Sequence, residues 1–263
     1  MFLPTTIKEV RARGWEQLDV ILFSGDAYID HPAFGAAVIG RLLEAEGYRV
    51  AIVPQPNWRD DLRDFTKLGT PRLFFGITAG SMDSMVNHYT ANIRLRSNDA
   101  YTPGGKAGFR PDYAVRVYTQ IVKRLFPHVP VVVGGIEASL RRLTHYDYWN
   151  DSLKPSVLAE SGADLLIYGM GERVVQQVAR ALRNGYNAKL LRKLRQVAFM
   201  AGKDYVERLD PAETIRLHSY EECARDNRAF GENFTVIETQ SNLMEPTATL
   251  VEAVGDRYVV VTP

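Results

Sequence analysis

Cysteine is almost absent from this sequence of 263 residues, because Cys223 is the only one. A single cysteine cannot form an intrachain disulfide, and it cannot supply the cysteine set that a structural zinc ion or an iron–sulfur cluster requires. Long apolar runs are also missing: no window approaches the roughly 18 apolar residues of a transmembrane helix, and the N-terminus lacks the apolar core of a signal peptide. These absences predict a soluble cytoplasmic protein that spans no membrane and whose own residues hold no metal.

An excess of charge of one sign is lacking too. The 32 Lys and Arg residues nearly balance the 31 Asp and Glu residues. This balance disfavours non-specific binding to nucleic acid, although it leaves a local basic patch open. Hydrophobic residues make up 46% of the chain, which is enough for one large core or for a core domain with a small appendage.

The sequence does contain a repeated alternation of short apolar runs with segments of helical spacing. The apolar runs are residues 19–25, 48–53, 72–78, 129–135 and 163–169. Five buried strands separated by helices predict an α/β fold: a doubly wound, mainly parallel five-stranded sheet of the Rossmann-like type, covered on both faces. The first helix is expected to end at Gly47, and the third to begin at Ser81 or Asp83. The GxGxxG fingerprint of a dinucleotide site is missing after the first strand.

This alternation stops at about residue 187. Residues 188–263 predict a small α+β extension instead, with a capped helix within 219–242 and a hairpin around Gly255 and Asp256. We therefore predict an α/β domain over residues 1–187 and the extension over residues 188–263. The chain stops just after an apolar strand, which is more typical of a connection to further sequence than of a terminus.

The carboxyl ends of parallel strands lie along one edge of a sheet, which we call the rim. Ligands of open α/β folds bind at this edge, because backbone N–H groups and helix N-termini converge there. The candidate cofactor-binding residues that follow the predicted strands are Asp26, His31, Ser81, Met82, Gly134, Gly135, Glu137, Ser139, Gly169, Gly171 and Glu172. We expect a cofactor or a substrate to lie on the rim.

The acidic stretch after the first strand has two interpretations. Asp26, Asp30 and His31 suit a metal site, an acid–base pair or a contact to the lower face of a cofactor. Alternatively, and as we favour, Asp30 caps the first helix ahead of Pro32.

The glycine-rich strand ends also leave alternatives open. The pair Gly134 and Gly135 either admits a ligand close to the backbone or forms a tight turn. Glu137 and Ser139 either contact that ligand or cap the following helix. For Glu172 we favour a place at a helix N-terminus, where its charge is favourable.

Two segments have no apolar period. Residues 90–112 form a long, basic, glycine-rich loop, and residues 141–156 form a second loop with aromatic side chains. The candidate contacts to phosphate or to a partner are Arg94, Arg96, Lys106, Tyr146 and Trp149. The motifs HExxH, GxSxG and the P-loop are absent, so catalysis by this chain alone has little support.

Three stretches resemble the N-terminal region of the YgiQ-type radical SAM proteins, a family of unsettled substrate. They are "GDAYIDHPAFGAAVIGRLLEAEGYRVAIVPQPNW" (25–58), "VNHYTANIRLRSNDAYTPGGKAGFRPD" (86–112) and "GGIEASLRRLTHYDYWNDSLKPSVL" (134–158). The resemblance implies a cobalamin-binding-like domain that precedes a TIM-like barrel, in which a CxxxCxxC motif binds a 4Fe–4S cluster that cleaves S-adenosylmethionine. That motif is absent here, so the resemblance places the barrel, as partner, further along the same polypeptide.

The resemblance also raises the question of whether the chain binds cobalamin. The DxHxxG pattern of methionine-synthase-like cobalamin domains is only approximated by residues 30–35, where His31 directly follows Asp30 with no residue between them. Cobalamin binding therefore stays open. Our leading interpretation is a substrate-facing or regulatory domain of a radical SAM enzyme of unknown substrate. The alternatives are an independent module that binds a phosphorylated small molecule or nucleotide, and an RNA contact through residues 189–195.

Overall fold

A computed structural model describes residues 2–187 and 189–263 of the protein. The strands are β1 Val20–Ser24, β2 Val50–Pro54, β3 Phe74–Thr78, β4 Val131–Val133, β5 His145–Asp147, β6 Ser152–Lys154, β7 Leu165–Ile167, β8 Val197–Ala201, β9 Thr214–Arg216, β10 Thr249–Val254 and β11 Arg257–Val261. The α-helices are α1 Ile7–Ala12, α2 Gly35–Ala45, α3 Arg63–Thr66, α4 Ser84–His88, α5 Ala114–Leu125, α6 Gly135–Leu140, α7 Val157–Ser161, α8 Glu172–Arg183, α9 Lys203–Val206, α10 Tyr220–Arg225 and α11 Asn227–Ser241.

In the part of the chain that the structure describes, nine strands form one sheet, in the order β2-β1-β3-β4-β7-β8-β11-β10-β9. The first five strands in this order run parallel to one another. They are the five strands predicted from the apolar runs, so the predicted doubly wound parallel sheet is confirmed. Their parallel pairing brings the carboxyl ends of β1, β3, β4 and β7 to one rim.

The C-terminal strands extend the same sheet. β8 runs antiparallel to β7, and β11 runs antiparallel to both β8 and β10. The sheet therefore contains more strands than the five predicted, because the sequence pattern of a strand does not reveal which sheet it joins. The added strands cover the edge of β7, which would otherwise be exposed. The predicted domain boundary lies between residues 187 and 188. Ala188 lies outside the described residues, so the division into two domains stays a prediction.

Both faces of the sheet are buried. On one face Phe23 and Phe75 belong to the same core cluster as Tyr118 of α5 and Val157 of α7. On the other face Leu22 belongs to the core cluster that includes residues of α2 and α8, two helices that contact each other. Strands that are buried on both faces need continuous apolar sequence rather than alternation, as the runs show.

The start of α2 differs from the prediction. The helix begins at Gly35 with Phe34 at the N-cap, so the predicted capping role of Asp30 is wrong. The chain makes a turn before the helix, in which the Phe34 N–H donates to the carbonyl of His31. Asp30 forms an ion pair with Arg41 of α2 instead. The predicted end of the helix is confirmed, because Gly47 has a φ of +82° just after the last turn.

The aromatic segment 141–156 is not a plain loop. It contains the antiparallel hairpin of β5 and β6. The Tyr148 hydroxyl donates to the carbonyl of Ala91 at 2.7 Å, so the hairpin contacts the long loop 90–112. Tyr146 donates to Asp151 at 2.6 Å. The ring of Trp149 packs edge-on against Tyr148.

Candidate functional site

A cavity of about 290 Å³ opens at the rim between α2 and α8. Its floor is the sheet, at the ends of β1, β3, β4 and β7, and its walls are mainly apolar. The apolar lining residues include Leu22, Ile39, Phe74, Val132, Ile167 and Val175. The site candidates that line it are Gly134, Gly135, Gly169, Gly171 and Glu172. The cavity therefore suits a largely apolar group with a small polar contact.

Glycines leave this space open. A Cβ at Gly76, in the middle of β3, would lie 2.6 Å from Cδ2 of Leu22. A Cβ at Gly171 would lie 3.0 Å from Cγ2 of Ile167. Gly135 has a φ of +84°, and a Cβ there would lie 2.5 Å from Oγ1 of Thr78, so this position needs glycine for its turn.

Asp26, at the end of β1, lies in a buried ion-pair cluster. Its Oδ1 accepts a hydrogen bond from the fully buried guanidinium of Arg110 at 2.7 Å, and its Oδ2 accepts one from the Ser81 N–H at 2.6 Å. Arg110 also donates to the carbonyl of Ala79 at 3.0 Å and pairs with buried Asp99 at 3.3 Å. Asp26 therefore anchors the loop 90–112 to the sheet. The sequence pattern places Arg110 in a basic loop but gives no signal for its pairing with Asp26, because 84 residues separate the two.

His31 lies in the turn before α2 and is exposed. Its Nδ1 accepts a hydrogen bond from the Ala33 N–H at 3.1 Å, and the next two residues, Pro32 and Ala33, line the cavity. His31 thus directly precedes two residues that line the cavity, whereas Asp26 lies in the buried cluster.

Ser81 and Met82 lie in the turn between β3 and α4. The helix begins at Ser84, and its N-cap Asp83 accepts hydrogen bonds from the N–H groups of Met85 and Val86, which confirms one of the two predicted starts. The two residues are half-buried at the rim.

Glu137 connects three helices behind the rim. Its Oε2 accepts from the Ser84 N–H at 2.8 Å, and its Oε1 accepts from the Val115 N–H at 2.9 Å. Burial raises the pKa of the Glu137 carboxyl, and the neighbouring guanidinium of Arg141 opposes that rise. Arg141 also pairs with Asp83 at 2.7 Å. Glu137 therefore holds the first turns of α4 and α5 together.

Ser139 lies near the end of α6, and Glu172 lies at the start of α8. The Ser139 hydroxyl donates to the carbonyl of Gly135 at 2.8 Å and accepts from the Gly169 N–H at 3.1 Å, so it connects α6 to the turn after β7. Glu172 is the first residue of α8, as we predicted, and Gly171 is its N-cap.

The basic candidates of the loop 90–112 are exposed: Arg94, Arg96 and Lys106 all face solvent. Nε of Arg96 donates to the carbonyl of Tyr89 at 3.2 Å. Across residues 2–187 and 189–263, no helix has the length and apolar character to cross a membrane. The same residues contain no group of three or more His, Cys, Asp or Glu side chains placed to hold a metal ion.

A comparison with known protein families shows to which family the chain belongs. Residues 2–263 match the family model described as Radical SAM N-terminal. The chain belongs to this family. The resemblance found in the sequence is thereby confirmed for the whole length of the chain.

Relatives of this Radical SAM N-terminal chain are longer proteins. The UPF0313 protein of Porphyromonas gingivalis is 62% identical over 265 residues, a match that covers 100% of this chain and 41% of the relative. The UPF0313 protein of Thermotoga maritima is 47% identical, with coverage of 100% and 45%. The chain thus spans less than half the length of these relatives.

A solved structure also matches, the radical S-adenosylmethionine methyltransferase TsrM from Kitasatospora setae with cobalamin and a [4Fe–4S] cluster bound. The TM-score is 0.45 and the sequence identity is 20%, with coverage of 68% of this chain and 26% of that chain.

Proposed function

We propose that this Radical SAM N-terminal domain forms one wall of the active site in a longer radical SAM enzyme of unknown substrate. In this proposal the rim faces the catalytic barrel, and the cavity between α2 and α8 holds a flat apolar part of a substrate or cofactor. The observation that carries the proposal is the cavity itself, which opens where ligands of parallel sheets bind.

The surface around the cavity supports a partner at the rim. Ile136 and Leu140 of α6 are 44% and 60% exposed, and Met170, between two cavity-lining glycines, is 77% exposed. Clustered exposed apolar side chains mark interaction surfaces. The longer relatives supply further polypeptide that would cover them.

The direction of β11 places the last residues at the same edge. Val261 pairs with Ala198 of β8, and the Tyr168 hydroxyl donates to the carbonyl of Thr262 at 2.5 Å, directly after β7. A barrel that continued from Pro263 would therefore begin beside the rim.

A photo-crosslinking amino acid at position 170 of the full-length protein should crosslink to the barrel. Met170 lies on the rim, so a barrel that faces the rim comes within reach of its side chain. The matched control is position 186, because Tyr186 is 53% exposed but lies beside the residues that precede β3 and β4, at the opposite end of the sheet. Mass spectrometry of the crosslinked peptides makes the comparison. Crosslinks to the barrel from position 186 and none from position 170 would refute the proposed orientation.

Cobalamin fits the cavity in part. The apolar walls and the glycines at positions 76 and 134 suit the fused-ring base of its nucleotide end. Bound cobalamin would supply a carrier for a methyl group. The loop 90–112 covers the end of β1, where the Ala27 N–H donates to the carbonyl of Tyr101 at 2.9 Å. Such a ligand would therefore enter the cavity over the carboxyl ends of β3, β4 and β7.

Replacing Gly35 by phenylalanine should weaken cobalamin binding at least about tenfold, or ~1.4 kcal/mol. Gly35 lines the cavity, and no atom from outside its own helix and chain neighbours lies within 4 Å of the place where its Cβ would be, so there is room for a phenyl ring at the cavity wall. Absorbance titration of the full-length protein with hydroxocobalamin measures the affinity.

The control for this experiment is Gly231→Phe in α11, where the Cβ position is equally open and the cavity is distant in sequence. Its affinity should equal that of the wild type. If Gly35→Phe binds as tightly as the control, or if the wild type does not bind, cobalamin is not the occupant of this cavity.

A further inference from the structure

A second cavity, of about 120 Å³, lies under the loop 90–112. It shares no lining residue with the cavity between α2 and α8. Its polar walls are formed by Asn87 and His88 of α4 and by Arg96, Asn98 and Asp99 of the loop. This volume exceeds the space that one water molecule needs several times over, so a small organic molecule fits in it.

The imidazole of His88 is buried and fixed at this cavity. Its side chain is 7% exposed, and its Nδ1 lies 2.6 Å from Oδ1 of Asp112. Asp112 also accepts a hydrogen bond from the Tyr89 hydroxyl at 2.9 Å. The hydrogen bond with His88 lowers the pKa of the Asp112 carboxyl, which is therefore ionised and accepts the Nδ1 proton. The ring orientation and the protonated Nδ1 of His88 are thus set by Asp112.

Two buried nitrogen atoms at this cavity have no partner. Within the described residues, Nε2 of His88 and Nδ2 of Asn87 form no hydrogen bond. Both side chains are more than nine-tenths buried, with exposures of 7% and 6%. Buried polar atoms are nearly always hydrogen-bonded, so two unpaired nitrogen atoms on neighbouring residues indicate a bound polar group.

The charges around the cavity favour an anion. Arg96 brings a guanidinium to the wall, and its Nε bonds only to a backbone carbonyl. The one carboxylate among the lining residues that the structure describes, Asp99, forms an ion pair with Arg110 at 3.3 Å, while its buried Oδ2 accepts no hydrogen bond. A protonated His88 would add a second cation that donates from Nε2.

We infer that this cavity binds the carboxylate group of a small molecule. Nε2 of His88, Nδ2 of Asn87 and the guanidinium of Arg96 act as the three donors, and Leu95 and Ala107 provide the apolar wall for the rest of the molecule. Binding draws a proton onto His88, because the imidazolium donates to the anion while Asp112 holds the other side of the ring. The groups that face His88 and set this proton uptake are Asp112, Tyr89, Arg96 and Asp99.

Calorimetric titration of the full-length protein with sodium acetate tests the inference. In two buffers of different ionisation enthalpy, the apparent heats should differ by the uptake of up to one proton per acetate bound. Arg96→Gln should weaken binding at least about fivefold.

Two variants keep the test decisive. Arg94→Gln is the matched control, because Arg94 lies in the same loop and is exposed but does not line the cavity. Its affinity for acetate should stay within about twofold of the wild type. Any binding of acetate that His88→Gln retains should occur without proton uptake, and uptake equal to that of the wild type would contradict the role of His88. The inference fails if Arg96→Gln and Arg94→Gln bind acetate equally, or if the wild type binds none at about 0.1 M, in which case the cavity holds water only.

Discussion

Replacing Arg110 by methionine should lower the free energy of unfolding by about 3–5 kcal/mol. The guanidinium is fully buried between Asp26 and Asp99, whose exposures are also only 2%. Methionine keeps most of the apolar stem but removes the charge, so two carboxylates lose their cationic partner in a place where water cannot replace it. Urea unfolding of chain 1–263, followed by circular dichroism, measures the change.

The control for Arg110 is Arg94 in the same loop. Arg94→Met should change the free energy of unfolding by less than about 0.5 kcal/mol, because this side chain is exposed. Adding Asp26→Asn and Asp99→Asn to the Arg110→Met variant should recover part of the loss, since the unpaired charges are then gone. Equal effects of Arg110→Met and Arg94→Met would show that the cluster does not hold the loop.

The free energy of unfolding should also fall as pH rises, by about 2 kcal/mol between about pH 5 and pH 7, through the single residue Glu252. Glu252 lies on β10 and is buried, and burial raises its pKa to about 7. Its Oε2 accepts a hydrogen bond from the Thr144 N–H at 2.9 Å. The folded state keeps the proton over a range in which the unfolded state, with a pKa of about 4.3, has released it. The stabilisation is therefore complete at low pH and is lost as pH rises through 7.

Glu252→Gln separates this effect from those of the other carboxyl groups. Glutamine keeps the acceptor for Thr144 but cannot titrate, so the variant should show a flatter dependence of the free energy of unfolding on pH. The difference between the two profiles, from urea unfolding at several pH values, reports Glu252 alone. Parallel profiles for the variant and the wild type would mean that this carboxyl ionises in the folded protein as readily as in water.

Local signals in the sequence predicted much of the fold. The apolar runs gave the five parallel strands, Gly47 marked the end of α2, and Asp83 marked the start of α4. The turn at Gly255 and Asp256 joins β10 and β11 as expected. These features depend on interactions within a few residues, which a single sequence displays directly.

Features that depend on distant residues were not predictable in this way. The C-terminal strands join the main sheet through pairing with β7, which no local pattern encodes. The pair of Asp26 and Arg110 connects positions 84 residues apart. Asp30 was misread because the sequence that precedes Pro32 looks like a cap, whereas the backbone makes an additional turn before α2. The rim cavity followed from the predicted strand direction, but its lining glycines were not all evident, and Gly76 within β3 was missed.

The position of β11 between β8 and β10 has a mechanical consequence. Both neighbours run antiparallel to it, so its backbone hydrogen bonds lie perpendicular to the strand on both sides. A tension applied at Pro263 would pull β11 along its own axis and load these bonds together in shear, instead of opening them one at a time. The domain is thus built to resist extraction of its final strand.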